Sequence, residues 1–124
     1  MDNQSIFDQV ARHLLTQKKR SLARRRSDAN LICAYRGDNG LKCAVGCLIS
    51  DEDYDPGMEG LSVREGAVRD WRFKRGYMTF GELLLRLQEV HDFHEPEHWP
   101  RLLASVATYF GLNTMAIDDM KEDK

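Results

Sequence analysis

The sequence predicts an α+β domain that is mainly helical, with about four helices packed around a small two-stranded β-hairpin. Three observations lead there. Apolar residues recur at helical spacing in separate stretches of the chain. Between the first two of these lies Gly37-Asp38-Asn39-Gly40, a turn sequence flanked by short apolar runs. No repeat or low-complexity linker divides the 124 residues, so a single domain over 1–124 is expected.

The first helix is predicted over 5–17, where Ile6, Phe7, Val10, Leu14 and Leu15 share a face. Lys18, Lys19 and Arg20 follow at its C-terminal end, where the helix dipole favours cations. A polar connector, Arg24-Arg25-Arg26-Ser27-Asp28, comes next. Residues 31–36 read as a strand, and 41–43 as its return partner across the Asn39-Gly40 turn, because Asn-Gly readily supplies positive φ angles. Residues 44–49 form a short helix whose small Ala44, Gly46 and Cys47 admit a close backbone neighbour. Residues 50–60 are a polar loop broken by Pro56-Gly57.

A second helix begins near Ser62, with Glu65 at capping-box spacing and Val63, Ala67 and Trp71 on one face; Gly66 weakens it. A third runs from Thr79 to His91-Asp92 on a stripe of Phe80, Leu83, Leu84, Leu87 and Val90. Pro96 stops it. The fourth starts between Glu97 and Pro100 and carries Trp99, Leu102, Leu103, Val106 and Phe110 as far as Gly111. Residues 113–124 are acidic and are expected to fray.

Composition narrows the function classes. At 42% hydrophobic the chain is too apolar to be a disordered one, yet it has no apolar run of bilayer-spanning length. Its opening, Met1-Asp2-Asn3-Gln4, lacks the basic start and apolar core of a signal peptide, so a cytoplasmic location and no membrane partner are expected. Three cysteines, an odd number, argue for free thiols over a disulfide framework. The net charge of −2 conceals alternating blocks: +5 over 1–36, −5 over 37–60, +3 over 61–76 and −5 over 77–124. Such blocks suit complementary surfaces, within the chain, in a second copy or in a partner.

Several constellations point to chemistry. Cys43, at the hand-over from strand to short helix, is a candidate nucleophile, with His91 as base. Asp92 would complete the triad, but neighbouring helical side chains diverge by about 100°, which makes it a poor orienter. Cys33, Cys43, Cys47 and His91 form the candidate zinc set, with no Cys-x-x-Cys knuckle; His94 and His98 are separated from it by Pro96. Asp51, Asp53, Asp55 and Glu59 invite a calcium loop, but Pro56 and Ser62 occupy the positions that require glycine and glutamate. The basic runs Lys18-Lys19-Arg20 and Arg24-Arg25-Arg26 give nucleic-acid binding only the support of clustered charge. The bland alternatives are buried thiols, a helix-end histidine and solvated charge, and no cofactor is expected.

The middle of the chain reads Cys33-x-Tyr35-Arg36-Gly37, then Gly40-x-Lys42-Cys43-Ala44-Val45-Gly46-x-Leu48-Ile49, then Asp51-x-x-Tyr54-Asp55-Pro56-x-Met58-Glu59-Gly60. This pattern resembles a family of small proteins of bacteriophages and bacterial genomes that generally have no assigned function. The likeness extends to the helix ending Leu14-Leu15-Thr16-Gln17 and to His91-Asp92 followed by Trp99. Cys47 stands where either cysteine or alanine is expected, which weakens a three-cysteine metal site. The resemblance supplies no catalytic residue. It implies a phage- or prophage-type accessory protein, working in the host cytoplasm by binding and inhibiting a host protein or complex, with a defence component as the concrete target. Asp51, Glu52, Asp53, Tyr54, Asp55 and Glu59 are the expected contact residues. The alternatives are a small cysteine enzyme using Cys43 with His91, and a zinc-stabilised binding domain.

Overall fold

Helix α1 (Asn3–Gln17) is fixed at both ends by its own sequence in the computed structural model, which describes residues 1–24 and 30–122. Asp2 accepts from the Ser5 N–H, and the Ser5 hydroxyl accepts from the Asp2 N–H, a reciprocal capping box. Lys18 closes the far end in the left-handed region, at φ 54°. The cap contributes about 1 kcal/mol, whereas each large apolar side chain contributes about 1.5–3 kcal/mol on burial. Ile6, Phe7, Val10, Ala11, Leu14 and Leu15 are all buried, so packing dominates.

Beyond α1 the chain forms strand β1 (Leu22–Arg24), which pairs antiparallel with β2 (Leu31–Cys33) in the register Leu22 to Cys33 and Arg24 to Leu31. The two-stranded sheet is therefore present, but its partner strand precedes β2 instead of following it. The expected pairing of 31–36 with 41–43 fails because both backbones are already engaged. Ala34 donates its N–H to the Ser21 carbonyl and accepts from the Ser21 hydroxyl. Lys42 exchanges both its backbone groups with the Gln17 amide on α1. The Gly37–Gly40 signal does make a tight turn, with Asn39 at φ 62° and Gly40 at φ 76°. Of the expected connector, Arg24 belongs to β1 and Arg25-Arg26-Ser27-Asp28 lies outside the described residues.

The segment after β2 is irregular, with single 3-10 turns at Gly46–Leu48 and Pro56–Met58. The Tyr35 carbonyl sits where a side chain at position 46 would begin, so only glycine fits there. The Ser62 and Glu65 bond forms, but in a turn ahead of helix α2 (Gly66–Arg75) rather than inside it. Helices α3 (Gly81–Phe93) and α4 (Trp99–Phe110) follow the expected stripes: Leu83, Leu84, Leu87 and Val90 are buried on the first, and Trp99, Leu103 and Val106 on the second.

The acidic C-terminal stretch is not a frayed tail over its described part. Met115–Glu122 is helix α5, which packs on α1 with Ala116 and Ile117 fully enclosed. Helix α1 thus lies between α3, α4 and α5, and among the described residues one apolar core joins α1 to α5 and residues 35–63. No helix among the described residues is long and apolar enough to cross a membrane.

Candidate functional site

A cleft of about 500 Å³ opens between β2, the turn at 60–65 and the outward edge of α3. Helix α3 bears two stripes. Leu83, Leu84, Leu87, Val90 and His91 face the core. Leu85, Gln88, Glu89, Asp92 and Phe93 repeat at i, i+3, i+4, i+7 and i+8 and line the cleft. Ile32, Cys33 and Tyr35 form the opposite wall, and Leu61, Val63 and Glu65 close the third side.

Behind Cys33 and Asp92 lies a buried polar cluster around His91, a residue with no exposed surface. Its Nε2 accepts the Ser21 backbone N–H at 2.8 Å, and its Nδ1 lies 2.7 Å from Asp92 Oδ1. A backbone N–H can only donate, so this network assigns the proton to Nδ1. Asp92 therefore does orient His91, against the expectation from helical geometry; the Cα–Cβ bonds diverge, but a carboxylate can fold back to the adjacent ring. Asp92 Oδ1 also accepts from Gln88 Nε2 at 2.8 Å. Arg20 donates to the Asp92 carbonyl at 3.0 Å and to Cys33 Sγ at 3.4 Å, tying the end of α1 to the last turn of α3. Arg20, from the basic run after α1, thus serves the dipole of another helix.

The candidate catalytic residues are not assembled as expected. Cys33, not Cys43, joins His91 and Asp92 in a group whose ligand-type atoms lie within 4.8 Å of one another. Cys43 is buried, its sulfur accepts from the Gly46 N–H, and desolvation pushes its thiol well above the usual range. Cys33 is raised as well, chiefly by burial, with Arg20 opposing. His91 has no free lone pair with which to take a proton from either thiol.

The zinc set is likewise dispersed. Among the described residues Cys33, His91 and Asp92 are the only such group; Cys43 and Cys47 stand outside it. Cys47 donates to the Ala44 carbonyl, and burial lifts its thiol to about 12. A metal at the remaining three would have to displace Ser21 or Asp92 from His91 and approach Cys33 beside the Arg20 guanidinium. The donor set is chemically sound, but both ring nitrogens of His91 are committed elsewhere.

The acidic loop divides in two. Asp53 takes a bidentate pair from Arg75, both contacts at 2.6 Å, which holds its carboxyl below the usual 3.8. Glu59 accepts the Tyr35 and Arg36 N–H groups and the Tyr54 hydroxyl, at 2.8, 3.1 and 2.6 Å. Asp51 meets Arg36 at 3.2 Å with its side chain 87% exposed. Asp55 caps the Gly57 N–H, and it and Glu52 are exposed.

No protein-family model, no curated protein and no solved structure matches this chain. The function therefore has to be argued from the residues themselves. Those that the sequence reading passed over are Glu65, Leu85, Gln88, Glu89 and Phe93. Their signal was present in α3 as a second, partly apolar stripe beside the core one.

Proposed function

We propose that this protein acts by binding another macromolecule and not by catalysis, in the accessory, phage-type role that its central motif implies: occupying a host protein or complex, with a defence component as the target class. One observation carries this reading. Both ring nitrogens of His91 are committed to Ser21 and Asp92, so the one buried imidazole beside a thiol among the described residues is a structural bracket. The raised thiols of Cys33 and Cys43 agree with it.

Iodoacetamide labelling of the folded protein at neutral pH tests the reading. Thiols with raised pKa, one of them buried, react slowly. Expected is alkylation of Cys33 and Cys43 at a small fraction of the rate seen in the urea-unfolded chain. Fast, selective labelling of either thiol in the native state, with turnover of a substrate, overturns the proposal in favour of a cysteine enzyme. On the positive side, immobilised protein should retain a bacterial host protein at close to one-to-one stoichiometry, and that complex should persist after nuclease treatment. Loss of the complex with nuclease would move the reading to nucleic acid.

A further inference from the structure

We infer that the β2–α3 cleft is the contact surface, and that its occupant is an extended protein segment in which apolar side chains alternate with lysine or arginine. The inference rests on the binding reading above and supplies the chemistry of the partner. Among the described residues the cleft is lined by three carboxylates, Glu65, Glu89 and Asp92, and by no lysine, arginine or histidine. Gln88 and His91 both engage Asp92 Oδ1, and among the described residues no donor reaches Oδ2. Glu65 spends one oxygen on the Ser62 N–H. Glu89 is exposed and meets no cation among the described residues. Arg20 stands behind this wall, donating to Cys33 Sγ and the Asp92 carbonyl and pairing with Glu95; the side chains that face the cleft itself carry negative charge, which attracts cations.

The apolar part asks for more than a small cation. Ile32, Leu61 and Leu85 line the cleft, and the apolar surface continues outward through Phe93, 73% exposed. A volume near 500 Å³ falls in the range of ligand sites, about 300–1,000 Å³. A compact ligand filling it would leave Phe93 in water, whereas a peptide running along the second stripe of α3 covers Phe93 together with the cleft. The opposite face of the hairpin is a poorer candidate. Its Arg36 is already committed to the carbonyls of Gly46 and Ile49, to Asp51 and to the Tyr54 ring.

The test uses a short fluorescein-labelled peptide of alternating leucine and lysine, read by anisotropy against the full chain. Saturable binding is expected. It should weaken about tenfold in the double variant Glu89→Lys/Phe93→Ser, as the loss of one apolar anchor and one charge contact implies. Both residues are exposed, so the fold is retained and cooperative urea unfolding verifies it. A control variant, Asp70→Lys/Phe73→Ser, reverses one charge and removes one ring at exposed residues that do not line the cleft and should bind as the parent does. Equal weakening in both variants, no weakening in either, equal binding of a leucine–glutamate peptide, or no saturable binding overturns the inference. Those results combined with slow alkylation leave the binding reading standing; fast alkylation removes that reading itself.

Discussion

The acidic loop at 51–59 and the rim of the β2–α3 cleft carry the same charge and differ in what faces it. In the loop, Asp53 is clasped by Arg75 and Glu59 holds two backbone N–H groups and a phenol. On the rim, Glu89 and one oxygen of Asp92 have no protein donor among the described residues. Asp53 and Glu59 are therefore structural, Asp51, Glu52 and Asp55 of the same run stay exposed, and on the rim Glu89 is presented outward. Charge density in a sequence marks where charges are, while pairing in the fold decides whether they are available to a partner.

The widest gap between the two regions should appear at Glu59. Replacing it with alanine removes the acceptor from three donors at once. A buried donor left unsatisfied costs about 1–3 kcal/mol, and Glu59 is half-exposed, so a loss of about 2–4 kcal/mol is expected from urea denaturation. Glu59→Gln keeps one acceptor oxygen and should lose less. If Glu59→Ala unfolds at the same urea concentration as the parent, the loop is not structural and the comparison fails.

His91 comes next. His91→Phe fills similar space but leaves the enclosed Ser21 N–H without an acceptor, at a cost of about 1–3 kcal/mol. His91→Gln, which can offer an oxygen, should recover part of it. Denaturant midpoints for the pair measure the difference. Equal midpoints would show that the acceptor at this position carries no weight.

The Asp53–Arg75 pair gives a smaller effect with a pH signature. A carboxyl whose folded pKa is depressed adds stability that is fully present above its unfolded value of 3.8 and is lost as the pH falls through the lower folded value. Asp2 and Glu65 are depressed too, so acid unfolding of the parent alone cannot isolate this pair. The stability difference between parent and Arg75→Ala can. It should be constant at neutral pH, begin to shrink near 3.8 and vanish below it, and 0.5 M salt should reduce it because Arg75 is largely exposed. A pH-independent difference would mean that Arg75 acts through packing instead.

Much of the fold was legible in the sequence because burial imposes a period. The stripes Ile6-Phe7-Val10-Leu14 and Leu83-Leu84-Leu87-Val90 are buried as read. The strand pairing was not legible. Leu22-Ala23-Arg24 is three residues long, has no β-branched side chain and opens a basic run, so nothing local marks it as a strand. Asn39-Gly40 gave a true turn signal, but a turn does not specify what its flanks pair with, and Gln17 and Ser21 had already claimed those backbones. Helix α5 was hidden by its acidic composition, although Ala116 and Ile117 are buried on it and Met120 packs beside them against the core. At the site, His91 and Asp92 were found, but their thiol partner is Cys33, set by a register that the sequence does not print.

The smallest effect, and the one with opposite sign, belongs to Glu89. It lies in the C-terminal half of α3, where the helix dipole disfavours a negative charge, and three residues from Asp92, a like charge on the same stripe. Both terms are a few tenths of a kcal/mol, so Glu89→Gln should leave stability unchanged or raise it by about 0.3–0.5 kcal/mol in low salt. Removing Glu59 weakens the protein, whereas removing Glu89 does not, because the fold makes no use of it. A carboxylate held at a small cost to folding, beside an exposed phenylalanine, is what a binding surface requires. A loss of more than about 1 kcal/mol in Glu89→Gln would show that the rim is structural after all, and would erase the distinction between the two regions.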